Sequence, residues 1–372
     1  MACVLLLLLC AMASAQSGSV QPSGSIQAPA SNSNTNDEVL APPEGTLPQT
    51  APATQQAPAN QPGNTVNVPA AQGEQGQAAE KTSNGTFVFK TNVQEVTLHA
   101  TVVDERQRLI TDLDRASFHV FEDGRPQRIT SFRREDIPVA IGIVIDNSGS
   151  MREKRASVNA AALNLVRASN PQDQVCVVNF NNEYYLDQDY TGNVSLLRNA
   201  LEHIESRGGT ALYDAVVATS NHLMKSARLQ KKIILVVTDG EDNASRESLE
   251  QAVRAIAVDG GPTVYTIGLL GREREKRARR ALRILAEQTG GVAFFPTDLN
   301  QVESISQQVA SDIRNQYTIG YKPSTPKSEG GYRQVKVDAA SRQHKKLSVR
   351  TRSGYYATDD EAAPPKTRAA TR

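Results

Sequence analysis

The feature that most constrains the fold is an uninterrupted apolar run, Val139-Ala140-Ile141-Gly142-Ile143-Val144-Ile145. Apolar residues at every position, and not only at alternate ones, are typical of a strand that is buried on both faces of a sheet. A helical pattern over residues 153–169 follows, with an apolar stripe that includes Val158 and Leu165. Strand and helix patterns then alternate as far as residue 314. This alternation predicts an α/β domain with a doubly wound, mainly parallel sheet.

The periodicities within residues 136–314 predict strands and helices in regular succession. Parallel strands need crossover connections, which places helices on both faces of the sheet. We expect strands at 139–145, 175–180, 184–186, 232–238, 263–269 and 292–295, and helices at 153–169, 195–205, 212–226, 245–258, 273–288 and 299–314.

Two β-rich segments, residues 84–135 and 315–357, flank the α/β domain. Polar and apolar residues alternate from Val93 to Val102, which is the period of a half-buried strand. Neither segment is long enough to bury a stable core alone. We therefore predict that the two segments pack together as one small β-sandwich-like domain, into which the α/β domain is inserted.

The amino terminus has the composition of a secretory signal peptide. Residues 1–15 combine a leucine-rich run with small residues before Gln16, although no Lys or Arg precedes the run. Cys10 leaves a lipid-anchored mature protein as an alternative. Residues 16–82 are rich in Pro, Gln, Asn and Ser and predict a disordered linker. We expect a secreted, periplasmic or cell-surface protein.

Cysteine content and charge exclude several classes of protein. After removal of the signal peptide Cys176 is the one cysteine left, so no internal disulfide is expected. Its apolar surroundings favour a thiol packed in a strand. The formal net charge of +1 gives no indication of nucleic-acid binding, and no later segment predicts a transmembrane helix. Residues 358–372 predict a disordered tail.

Hard oxygen ligands follow three segments that should meet at one edge of the sheet. Asp146, Ser148 and Ser150 come after the first strand, Thr210 precedes a helix, and Asp239 follows the strand at 232–238. Ligands of open α/β sheets bind at the carboxyl ends of the strands. Two carboxylates and three hydroxyls suit Mg²⁺, and Mn²⁺ or Ca²⁺ as alternatives, and are poor ligands for Zn²⁺ or Cu²⁺.

In this order and spacing, Asp146-x-Ser148-x-Ser150, Thr210 and Asp239 resemble the metal-ion-dependent adhesion site of von Willebrand factor type A domains. The resemblance implies that the two serines and the threonine contact the metal directly. It further implies that one or both aspartates act directly or through water, and that a carboxylate from a partner completes the metal shell.

The resemblance to that family covers about residues 136–314. The flanking segments are also similar to a group of secreted bacterial proteins, common in acidobacteria, that surround this domain with β-structure. That similarity is carried by Phe118-x-Val120-x-Glu122-Asp123-Gly124 and by Gln316-Tyr317-x-Ile319-x-Tyr321.

These observations favour a metal-dependent protein-binding or adhesion module over an enzyme. The expected partner is a protein that supplies an acidic residue. An alternative is a scaffold whose metal site is occupied internally, for instance by Asp359-Asp360-Glu361. A more remote alternative is a metal-dependent hydrolase, but no general base is evident near the site. The arginine-rich stretch 272–283 predicts an exposed basic helix face, with docking of an acidic partner or an anionic envelope as the alternative.

Overall fold

A computed structural model of the chain describes residues 79–81, 87–89, 95–202, 206–270 and 275–357. These residues belong to one compact unit, Gln75–Arg372. The predicted signal peptide, most of the predicted linker and the predicted tail lie outside the described residues. Within the described part of the chain, no helix is both long and apolar enough to cross a membrane.

The described residues form strands and helices in the following chain order. The strands are β1 (Ala79–Lys81), β2 (Phe87–Phe89), β3 (Val96–Val103), β4 (Phe118–Glu122), β5 (Arg125–Gln127), β6 (Ile129–Arg133), β7 (Val139–Asp146), β8 (Gln174–Phe180), β9 (Tyr184–Thr191), β10 (Lys231–Thr238), β11 (Thr263–Gly268), β12 (Ala293–Phe294), β13 (Tyr317–Tyr321), β14 (Tyr332–Ala339), β15 (Ser348–Arg350) and β16 (Gly354–Tyr356). The helices are α1 (Arg155–Arg167), α2 (Val194–Glu202), α3 (Leu212–Ser226), α4 (Leu249–Ile256), α5 (Glu275–Thr289) and α6 (Gln301–Arg314).

The α/β domain is built on a six-stranded sheet with the order β12-β11-β10-β7-β8-β9. All neighbouring pairs are parallel except β8 and β9, which are antiparallel. Central strand β7 is buried at every position, as its apolar run predicts. Its alternate side chains enter two cores: Ile141 and Ile143 pack with α1, α2 and α6, and Ala140 and Val144 pack with α3, α4 and α5. The predicted α/β fold is confirmed.

The β-domain consists of two four-stranded sheets, with the orders β15-β3-β13-β6 and β16-β14-β4-β5. Each sheet takes strands from both sides of the α/β domain, and one hydrophobic core joins them. A buried polar cluster also links the two sides. Glu122 accepts hydrogen bonds from the hydroxyls of Tyr321 at 2.6 Å and Tyr355 at 2.9 Å, and it lies 3.4 Å from Arg333.

The two chain crossings between the domains lie side by side. Arg314, at the end of α6, forms ion pairs with Asp136 at 2.5 Å and with Asp173 at 3.5 Å. Lys231, the first residue of β10, donates a hydrogen bond to the carbonyl of Ile313. The chain therefore enters and leaves the α/β domain at the amino ends of its parallel strands.

The largest differences from the predicted boundaries occur at three places. The helix predicted at 245–258 begins at Leu249, because Ser248 and Gln251 form a capping box that fixes its first turn. The strand predicted at 184–186 continues to Thr191, since pairing with β8 holds its polar residues extended. Residues 79–81, predicted within the disordered linker, form a short strand with the apolar residues of β2.

Candidate metal-binding site

Asp146 is the last residue of β7, and its side chain is fully buried. One carboxylate oxygen accepts a hydrogen bond from the Thr238 hydroxyl at 2.5 Å, and the other accepts one from the Ser148 backbone N–H at 2.8 Å. Burial raises the pKa of the Asp146 carboxyl, these hydrogen bonds lower it, and the Asp239 carboxylate raises it further. The neighbouring strand and the following loop therefore fix this carboxylate in one orientation.

Ser148 and Ser150 lie in a tight turn that follows β7, in which Gly149–Met151 form one 3-10 turn. Their hydroxyl oxygens are 3.2 Å apart, and the Ser150 hydroxyl donates to Asp239 Oδ1 at 2.7 Å. Asp239 comes directly after β10, so residues from neighbouring strands meet here. The side chain of Asp239 is only 1% exposed.

Thr210 approaches from the loop before α3. Its backbone N–H donates to Asn243 Oδ1 at 2.9 Å, and its carbonyl accepts from the Asn243 N–H at 3.0 Å. A Cβ on Gly240 would come within 3.3 Å of the Thr210 hydroxyl oxygen, so this hydroxyl lies against the turn that carries Asp239. Gly208 has a φ of +79°, which glycine adopts without strain, and its carbonyl accepts from the Gly149 N–H at 3.3 Å.

These loops enclose an open cleft of about 670 Å³. Ser148, Ser150, Thr210 and Asp239 line the cleft, and Asp146 is buried next to Ser148. The structure thus places all five predicted residues around the carboxyl ends of β7 and β10. The rest of the lining carries charge, from Lys154, Glu241 and Asp242, together with small or polar residues.

Two oxygen separations in the cleft are compatible with those between ligands of a hard cation. Adjacent ligands around an octahedral Mg²⁺ lie about 3.0 Å apart, because each metal–oxygen distance is about 2.1 Å. The measured separations, 3.2 Å between Ser148 and Ser150 and 2.7 Å between Ser150 and Asp239, bracket that value. Within the described residues, no three His, Cys, Asp or Glu side chains form a metal-holding group. The candidate set therefore depends on its hydroxyls.

Several residues that shape the site were not predicted from the sequence. The ammonium group of Lys154 contacts the Asp239 carboxylate, and Thr238 orients Asp146. Asn243 orients the Thr210 backbone, whereas Asp242 binds the backbone N–H of Tyr213 at 3.0 Å. Only their proximity in the sequence to the predicted ligands could have indicated these residues. Thr238 directly precedes Asp239, and Lys154 follows Ser150 by four positions.

Residues 141–241 match the sequence model of the von Willebrand factor type A domain. This segment belongs to the von Willebrand factor type A family. The match begins within β7 and ends two residues after Asp239, so the von Willebrand factor type A segment contains all five predicted ligands. The predicted resemblance to the von Willebrand factor type A family is confirmed over residues 141–241, and domains of this family mediate protein interactions.

Other proteins are similar to this chain at low identity. An uncharacterized protein of Synechocystis sp. is 25% identical over 135 residues, which are 36% of this chain and 32% of the relative. The chain therefore spans about a third of the length of that relative. The von Willebrand factor domain of a type V pili tip protein from Porphyromonas gingivalis is 14% identical with a TM-score of 0.42, covering 48% of this chain and 95% of that chain. A von Willebrand factor type A protein from Catenulispora acidiphila is 14% identical with a TM-score of 0.42, and the match covers 73% of this chain and 76% of that chain.

Proposed function

We propose that the von Willebrand factor type A domain is a metal-dependent protein-binding module, in which a bound divalent cation accepts a carboxylate from a partner protein. The observation that carries this proposal is the convergence of three hydroxyls and the Asp239 carboxylate at one open cleft, with the buried Asp146 carboxylate next to Ser148. Two oxygen separations there suit Mg²⁺. Mn²⁺ and Ca²⁺ are alternatives with the same preference for oxygen ligands.

Each residue of the cleft has a distinct part in this proposal. Ser148, Ser150 and Thr210 would hold the cation through their hydroxyls, and Asp146 and Asp239 would balance its charge. When bound, the cation supplies a positive centre that attracts an anionic ligand. The cleft is open to solvent. A partner carboxylate could therefore reach a coordination position of the cation that no residue of this chain occupies.

A binding role fits the described side chains better than catalysis does. The residues described around the cleft include no histidine. Asp242 accepts hydrogen bonds from Ser245 and from the Tyr213 backbone, and Asp239 is held by Ser150 and Lys154. Carboxylates engaged in this way are poor general bases, because a base must have a lone pair free toward the attacking water. We therefore propose no enzymatic activity.

An external ligand is also favoured over an internal one. The acidic residues of the tail, Asp359-Asp360-Glu361, lie outside the described residues. The last described strand, β16, bridges through Tyr356 to Val258, just before β11 begins. That is the amino end of the parallel strands, whereas the cleft is at their carboxyl end. The predicted signal peptide, residues 1–15, supports a secreted, periplasmic or surface location in which the cleft would face an external partner.

Isothermal titration of the protein with Mg²⁺, with and without EDTA pretreatment, tests the metal site directly. Ser150 is exposed and its removal leaves the buried core intact, so Ser150→Ala should fold and bind Mg²⁺ roughly 10- to 100-fold more weakly. Ser195→Ala, at an exposed position on α2, is the matched control and should bind like the native protein. An absence of Mg²⁺, Mn²⁺ and Ca²⁺ binding at millimolar concentration would refute the proposal.

Partner binding is tested separately, by capture of proteins from the native cell surface on the immobilised chain. Capture of a specific protein should be lost in EDTA and restored by added Mg²⁺. It should also be lost in Ser150→Ala and kept in Ser195→Ala. A partner that binds equally well in EDTA would show that recognition does not use the cation.

A further inference from the structure

Helix α5 presents a row of basic side chains to solvent. Lys276, Arg277, Arg280 and Arg283 are all exposed, and we call these four residues the α5 basic stripe. The opposite side of the helix carries Ala278, Leu282 and other apolar residues, which are buried against the sheet. Arg279 and Arg283 lie over the Phe295 ring at 4.6 Å and 5.6 Å. Arg279 is half-buried and belongs to the packed side of the helix, whereas Arg283 remains exposed. The stripe is therefore a defined surface and not the whole circumference of α5.

The stripe is unfavourable for the helix itself. Like charges three or four positions apart face one another, as in Lys276 with Arg280 and Arg280 with Arg283, and such pairs destabilise a helix. An external anion would relieve this repulsion.

One end of the stripe reaches the candidate metal site. Arg277 Nη1 lies 3.8 Å from Glu241 Oε1, and Glu241 lines the cleft. Arg277 is 87% exposed in spite of this contact, so it stays available to a ligand. From Lys276 to Arg283 the helix rises about 10 Å away from that end. A peptide ligand that extends out of the cleft on this side would therefore meet the α5 basic stripe at Arg277.

We propose that the α5 basic stripe binds a run of acidic residues in the partner, next to the carboxylate that enters the cleft. This inference rests on the proposed function for that first carboxylate. An extended peptide advances about 3.3 Å per residue, so four or five residues are enough to follow the stripe. The partner is thus a protein with an acidic segment, and not with one isolated acidic residue.

An acidic peptide fits this surface better than an anionic membrane does. Glu241 contacts the stripe through Arg277, and Asp242 lines the same cleft. These two carboxylates would repel a broad surface of lipid headgroups. A narrow peptide can place its charges along the helix while it avoids these two carboxylates. Electrostatic complementarity of this kind raises association rates and gives specificity, and salt weakens it.

Fluorescence anisotropy with a labelled octaglutamate peptide in Mg²⁺ tests the stripe, with octaglutamine as the uncharged probe. The variant Lys276→Gln/Arg277→Gln/Arg280→Gln/Arg283→Gln should bind octaglutamate at least roughly tenfold more weakly than the native chain. The control Arg106→Gln/Lys322→Gln/Arg342→Gln/Lys345→Gln removes the same charge from exposed positions of the β-domain. It should stay within about twofold of the native affinity. Equal losses in both variants would overturn the proposal.

Further measurements keep the inference separate from the metal proposal. In EDTA, the affinity ratio between the native chain and the stripe variant should persist. If EDTA has no effect but the stripe variant still binds weakly, the metal proposal fails and the stripe stands.

Vesicles of phosphatidylglycerol should bind no better than neutral vesicles. Stripe-dependent vesicle binding that exceeds octaglutamate binding would overturn the choice of a peptide. The single change Arg280→Glu, at an exposed position, gives the same test if the fourfold variant does not fold.

Discussion

The ammonium group of Lys154 contacts one oxygen of the Asp239 carboxylate, and the other oxygen of that carboxylate accepts a hydrogen bond from Ser150. The protein itself thus supplies a cation to a carboxylate that we propose as a metal ligand. Lys154 extends from the turn before α1 into the cleft, where its side chain is 28% exposed. A divalent cation in the cleft and this ammonium group would compete for the same negative charge.

Replacement of Lys154 should therefore strengthen metal binding. We expect Lys154→Met to raise the Mg²⁺ affinity by roughly fivefold, which corresponds to about 1 kcal/mol of relieved repulsion at this partly exposed position. Isothermal titration measures the change. Lys225→Met, which removes an exposed cation on α3, is the control and should leave the affinity unchanged. A weaker affinity in Lys154→Met would show that the lysine supports the metal site and does not oppose it.

Glu122 should be essential for the stability of the β-domain. It is 3% exposed, it pairs with the buried Arg333, and it accepts hydrogen bonds from Tyr321 and Tyr355. Glu122→Gln leaves the Arg333 charge buried without its carboxylate, and such losses cost roughly 3 to 5 kcal/mol of unfolding free energy. Urea denaturation followed by far-UV circular dichroism measures the effect, with the exposed Glu329→Gln as the control. Equal midpoints for the two variants would contradict this prediction.

Lys231 should make the stability of the protein depend on pH in the alkaline range. Burial lowers the pKa of its ammonium group from 10.5 to about 8, even though Asp136 and Asp173 oppose the shift. Between these two values the unfolded chain holds the proton and the folded chain has released it. The contribution of Lys231 to the unfolding free energy thus rises with pH through this window, by at most about 3 kcal/mol.

Comparison with Lys231→Met isolates this contribution, because methionine does not titrate. Urea unfolding at pH 7.5 and at pH 10 should show the native chain gaining stability relative to the variant as the pH rises. If the difference in unfolding free energy between the two proteins is the same at both pH values, Lys231 keeps its proton in the folded state.

Removal of the acidic tail should leave ligand binding unchanged. The described chain ends near the amino ends of the parallel strands, away from the cleft. We therefore expect a chain truncated after Thr358 to bind octaglutamate in Mg²⁺ with the affinity of the full chain. Anisotropy titrations of the two proteins measure this. A clear gain in affinity after truncation would support the alternative in which Asp359-Asp360-Glu361 occupies the metal site.

The sequence was sufficient to predict the sheet and the position of the five candidate residues at one edge of it, and the reasons are physical. A strand buried on both faces must be apolar throughout, so the run that ends at Ile145 predicts its own position. Parallel topology then brings the residues after β7 and β10 together whatever the intervening helices contain. Both arguments use short-range pattern and topology, and neither needs atomic detail.

Other features depend on tertiary contacts that no local pattern reports. Lys154 could have extended into solvent, and only the position of Asp239 draws it into the cleft. The extension of β9 to Thr191 depends on pairing with β8, because residues such as Asp187 and Asp189 have low strand propensity. Helix α4 likewise begins later than the sequence predicts. Asp214 holds the polar loop before Leu249 by accepting hydrogen bonds from the backbone N–H groups of Arg246 and Glu247.

The adjacent chain crossings at Asp136 and Arg314 determine how the protein would carry mechanical load. A partner that pulls on the cleft applies force at the carboxyl end of β7, and the domain is tethered at the opposite end of the sheet. The tension would run lengthwise through β7, whose hydrogen bonds to β8 and β10 would be loaded in shear and all at once. Both crossings would share the force as it passes into the β-domain. An insertion with neighbouring entry and exit points is thus suited to hold a ligand under tension.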